Sequence, residues 1–146
     1  MKFQYPDDDQ QVAIYATVNG KFLRAQDGPA LVLAAGRSID DDACIFIWGS
    51  DGSIRSASAG LYLGYNGTST LLSTGTFDPV FTFGWYYAPE ADGEPDGTPA
   101  MIFTTDDGTP RCWSYTTSLT NEITLSSDTT TPPNPDRRTF VICNVD

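Results

Sequence analysis

The side chains of this 146-residue chain that could carry chemistry fall into three groups: carboxylate runs, aromatic rings beside short polar groups, and three scattered thiols. The carboxylate runs stand at 7–9, 40–42 and 106–107. Hard cations ask for several oxygens, but none of these runs has the alternating acids, fixed glycine and closing Glu of an EF-hand loop. The run at 40–42 reads as a solvated turn, which is what acidic runs usually are. No metal ligand is assigned. Glycoside hydrolysis needs two carboxyl groups at a defined separation across a cleft, and nothing singles out such a pair among 19 acidic residues. The chain is therefore read as non-enzymatic, without a cofactor.

The sequence holds no histidine, which removes Ser-His-Asp and Cys-His nucleophiles and every histidine metal site. Cys44, Cys112 and Cys143 are too far apart in sequence for a zinc knuckle. Eight basic against 19 acidic side chains leave a net charge of −11, the wrong sign for nucleic acid or an anionic membrane surface. No segment approaches the roughly 18 apolar residues of a membrane-spanning helix, so membrane insertion is not expected. The start, MKFQYPDDDQQ, has no apolar stretch resembling a signal peptide, and the cysteine count is odd. Both features point to a cytoplasmic protein, with a processed secreted form as the alternative.

Eight Phe, seven Tyr and three Trp make the aromatic group the most informative. Tyr65 adjoins Asn66 before a turn, and Trp113-Ser114-Tyr115 holds the corresponding place later in the chain. An exposed ring can take the apolar face of a pyranose while amides and carboxylates bind its hydroxyls. Tyr65, Asn66, Trp113 and Tyr115 are therefore the candidate ligand-binding residues, with Asp27 as a further hydroxyl acceptor. The expected partner is a glycan or glycoprotein. The alternative is a protease: Arg111, following Pro110, would suit a trypsin-like pocket if a loop presented it rigidly.

The elements that must position these groups read as strands. Short β-branched and aromatic runs alternate with Gly, Asp, Asn and Pro clusters every 8–12 residues, the pattern of an all-β sandwich or barrel. Twelve strands are expected, at 12–18, 21–26, 30–35, 44–49, 53–58, 61–66, 70–75, 80–88, 100–105, 112–117, 122–127 and 139–145. They repeat in fours. NGKFLRAQDG (19–28) aligns with AGLYLGYNG (59–67), and Phe46 and Trp48 align with Phe83 and Trp85 and with Phe140 and Ile142. Period-two alternation puts these repeating aromatics on one face, as core. Two turn-rich segments, 89–99 and 127–138, interrupt the pattern as long loops. By the same register Cys44 shares the Phe46 face and Cys143 does not, so no disulfide between them is expected.

The threefold aromatic endings and the G-K-F-L and G-L-Y-L phrases resemble the β-trefoil superfamily, over about residues 12–145. The resemblance implies one domain, 1–146, with lobes about 12–52, 53–99 and 100–146. W-G-S-D-G-S-I-R-S-A-S-A-G-L-Y-L (48–63) is similar to the inter-lobe segment of ricin-type lectins, and the second-strand phrases are as similar to fascin domains. The ricin-type resemblance implies a carbohydrate-binding protein of the fungal defence type. The position where ricin-type lectins carry a sugar-binding Asp is Arg24, Gly64 and about Ser114 here. A sugar would therefore use another site. A fascin-like role meets like-charge repulsion from acidic actin.

Overall fold

The computed structural model describes residues 3–25, 31–34, 42–66, 69–72, 82–87, 99–104, 110–116, 122–130 and 136–145. Among them lie twelve strands: β1 (Gln10–Ala16), β2 (Phe22–Arg24), β3 (Val32–Ala34), β4 (Phe46–Trp48), β5 (Ile54–Ser56) and β6 (Leu63–Asn66), then β7 (Ser69–Leu72), β8 (Phe83–Tyr87), β9 (Pro99–Thr104), β10 (Arg111–Tyr115), β11 (Ile123–Ser126) and β12 (Phe140–Asn144). Each falls on one of the expected runs. The one helical element among the described residues is a 3-10 turn, Asp42–Cys44.

Six strands make the barrel wall, in the order β5-β4-β1-β12-β9-β8, every neighbouring pair antiparallel. The Phe83 N–H donates to the Gly52 carbonyl at 2.7 Å, which ties the start of β8 to the turn before β5. The other six strands pair as three hairpins, β2–β3, β6–β7 and β10–β11. Val32 bridges Glu122, and Thr124 pairs with Ser69, so the hairpins join one another as a cap. Pro99 opens β9, where its missing N–H does least harm to the ladder.

Alternation decides which side chains fill the barrel. Val12 and Ile14 from β1, Phe46 and Trp48 from β4, Phe83 and Trp85 from β8, and Phe140 and Ile142 from β12 form one core cluster. Leu23, Leu63 and Trp113 enter it from the hairpins. The rings meet edge to face: Trp48 on Trp85 at 5.1 Å, and Phe83 on Trp113 at 5.5 Å. Such contacts add roughly 0.5–1.5 kcal/mol each beyond burial.

All three cysteines are free thiols, but the expected placement of Cys44 is corrected. It belongs to the 3-10 turn, whose Ile45 N–H donates to Asp42 O at 3.1 Å. That turn breaks the alternation just before Phe46. Cys44 packs outside the barrel with Ala13 and Phe22, away from Phe46 and Trp48.

Candidate functional site

Of the aromatic–polar pairs singled out in the sequence, the one in β10 is buried. Trp113 is 0% and Tyr115 6% exposed, and both belong to the main core. The expectation that they are exposed stacking platforms is overturned. The reason is register: Trp113 occupies the place of Leu23 and Leu63 in its repeat, and Tyr115 the place of Ala25 and Tyr65. Each is an inward position on its strand. Tyr65 is half-buried with its hydroxyl enclosed. Asn66 ends β6 opposite Ser69, and Asp27 lies outside the described residues.

Arg111 is likewise relocated. It opens β10 and pairs with Thr104 of β9, so it is part of a ladder and is not presented on a protruding loop. Arg138 ties together the described parts of 127–138, residues 127–130 and 136–138. Its guanidinium donates to the carbonyls of Asp128 (2.9 Å) and Thr130 (3.1 Å) and to the Asp136 carboxylate (3.3 Å).

A shallow depression of about 430 Å³ opens there, among Val18, Ser114, Ser126, Asp136, Arg137 and Arg138. It includes Ser114, aligned with the ricin-type Asp. Among the described residues no aromatic ring lines it, and the one carboxylate, Asp136, already accepts from Arg138.

The second concavity lies at the barrel mouth. Gln4 forms an antiparallel bridge to Trp85, with its N–H on Trp85 O at 2.8 Å and its carbonyl accepting from Trp85 N at 3.0 Å. The Trp85 indole N–H donates to Gln4 Oε1 at 3.2 Å, and Phe3 stacks on Phe103 at 4.8 Å. Pro6 ends this pairing, because it has no N–H to continue it. The chain then crosses the mouth to Gln10, where β1 begins.

The result is a cavity of about 410 Å³. Trp48, Trp85, Val12 and Ile142 form its floor, and Tyr5, Asp7, Asp8, Gln10 and Asn144 form its walls. Tyr5 is 42% exposed. Two glycines make room for its ring: a Cβ at either Gly52 or Gly84 would stand 3.2 Å from Tyr5 Cε1. At Gly84 a Cβ would also press on Gln4 O at 3.0 Å. Gly52 is required twice over, since its φ is +86°.

The mouth therefore combines an exposed ring, two carboxylates and the amides of Gln4, Gln10 and Asn144 around an apolar floor. The sequence reasoning missed it. The signal was present, since Tyr5 stands beside an acidic run much as Tyr65 stands beside Asn66. Among the described residues no group of three acidic or thiol side chains converges as a metal site.

No family model and no curated protein matches the sequence. Solved structures do. The chain aligns over 100% of its length with a mosquitocidal holotoxin at a TM-score of 0.70 and 10% identity, and it spans 17% of that chain. It aligns with the Macrolepiota procera ricin B-like lectin, solved in complex with lactose, at a TM-score of 0.62 and 18% identity, covering 94% of this chain and 96% of the lectin. This chain is a β-trefoil. The mdaA-1 domain, solved in solution, gives a TM-score of 0.65 at 14% identity over 96% of the trefoil and 93% of that domain. Identities this low speak for the fold, and trefoil folds host many functions.

Proposed function

We propose that the trefoil is a non-catalytic carbohydrate-binding module whose sugar sits in the barrel mouth. The observation that carries this reading is Tyr5, an aromatic ring 42% exposed on the wall of a cavity that also offers Asp7, Asp8, Gln10 and Asn144. A pyranose presents an apolar C–H face and a rim of hydroxyls. The ring suits the first, and carboxylates and amides suit the second. The lactose-bound lectin of the same fold supports the reading. The odd cysteine count fits a cytoplasmic protein.

Binding measured on a glycan panel, followed by calorimetry with the best ligand, tests the proposal. Tyr5→Ala should weaken the best ligand by about 1–3 kcal/mol, as hot-spot truncations do, with the melting temperature nearly unchanged. Tyr65→Ala and Asn66→Ala should leave affinity intact. Binding to no saccharide, or affinity indifferent to Tyr5, would sink the proposal.

A further inference from the structure

We propose that the mouth selects saccharides bearing a protonated amine, such as sugars with a free 2-amino group, over neutral or anionic ones. This rests on the saccharide reading above and concerns the ligand class. Among the described residues, Asp7 and Asp8 are the charged side chains on the cavity wall, and none of those lining it is basic. Both are exposed, and among the described residues neither forms an ion pair. Arg137 and Arg138 stand at the other concavity. The whole chain carries −11, so the field at the mouth is reinforced by the rest of the molecule.

An ammonium group uses this wall better than a hydroxyl does. It donates up to three charge-assisted hydrogen bonds to carboxylates, roughly twice as strong as neutral ones. Tyr5 adds a ring face that attracts a cation. A neutral sugar exchanges water for hydroxyl at the same carboxylates with little net gain. A carboxylated or sulfated sugar meets like charge.

The test compares the glucosamine disaccharide with its N,N′-diacetyl counterpart by calorimetry at mildly acidic pH and low salt. The free-amine form should bind at least about ten-fold tighter, given charge-assisted bonding, and the ratio should shrink towards one as salt screens it. The Asp7→Asn/Asp8→Asn variant should bring the ratio to about one. The Asp42→Asn/Asp128→Asn variant removes the same charge elsewhere and should keep it. Melting curves check that both variants fold.

Equal affinities in the wild-type protein would overturn the inference. So would a ratio that survives in the Asp7/Asp8 variant, a ratio lost equally in the control, or equal binding of dilysine. Tyr5-dependent binding of the neutral disaccharide without amine preference would leave the proposed function standing and remove only this inference. Failure of every saccharide would remove both.

Discussion

Tyr5 and Trp113 sit at opposite ends of the same barrel and have exchanged the roles their sequence neighbours suggest. Trp113 is flanked by Cys112 and Ser114 and followed by a tyrosine, yet it is wholly buried against Phe83 and Phe140 in the cap. Its indole N–H has no hydrogen-bond partner among the described residues. Tyr5 precedes a proline and three aspartates and stands largely open at the mouth. Exposure is decided by the phase of a residue within the repeat, and by which end of the barrel its strand reaches. Local polarity of the neighbouring residues decides little.

The strongest way to break this comparison is to truncate both rings. Trp113→Ala should lose about 3–5 kcal/mol of stability in urea unfolding, the usual cost of emptying a large aromatic site. Tyr5→Ala should change stability by less than about 0.5 kcal/mol, as exposed substitutions do. Comparable losses at the two positions would dissolve the contrast.

Gly52→Ala comes next. The left-handed backbone and a Cβ only 2.9 Å from Thr82 Cβ should make it cost about 1–3 kcal/mol. It should also displace Tyr5, so sugar affinity should fall together with the melting temperature. A stable variant with native affinity would show that the glycine does not seat the ring.

Cys112 gives an alkaline test of the cap. Burial pushes its thiol from 9.0 up to about 11, partly offset by Arg138. A raised folded pKa means stability that is complete below the unfolded value of 9.0 and lost as pH rises through about 11. The loss should reach at most about 2 kcal/mol, allowing for partial screening. Cys112→Ala should flatten that limb, and an unchanged slope would put the thiol elsewhere. In native protein at neutral pH, Cys112 should also resist alkylation more than half-buried Cys143.

The smallest effect belongs to Asp128, whose carboxyl is held below its ordinary 3.8 first by the Thr130 hydroxyl and also by Arg138. A depressed folded pKa contributes stability above 3.8 that disappears as pH falls through the folded value. A small stability gap between wild type and Asp128→Asn should therefore exist at neutral pH and close in acid. A gap that persists in acid would assign the effect to something other than the charge.

Much of the fold was legible because the repeat and the period-two pattern agree. Phe46/Trp48, Phe83/Trp85 and Phe140/Ile142 fixed both the face and the number of copies. The same alignment sets Trp113 beside Leu23 and Leu63, which places it inside, but the polar context of Ser114 pointed the other way. Cys44 was misplaced because a single 3-10 turn shifts the phase, and a turn that short leaves no periodic trace. The mouth was illegible for a different reason. It is assembled by the bridge between Gln4 and Trp85, 81 positions apart, from a segment that lies before the first repeat.

The pairing of β1 with β12 has a kinetic consequence. Val12 meets Asn144 and Ala16 meets Phe140, so the first wall strand is completed by the last. On the ribosome, β1 can pair with β2 and later with β4, but its other edge stays open until nearly the whole chain has been made. At about 5–20 residues per second, that interval is on the order of 10 s. Contacts so distant in sequence also slow refolding towards the millisecond-to-second range of β-rich domains. During that wait the exposed edge carries Val12, Ile14 and Tyr15, and it is the part of the nascent molecule most open to pairing with another chain.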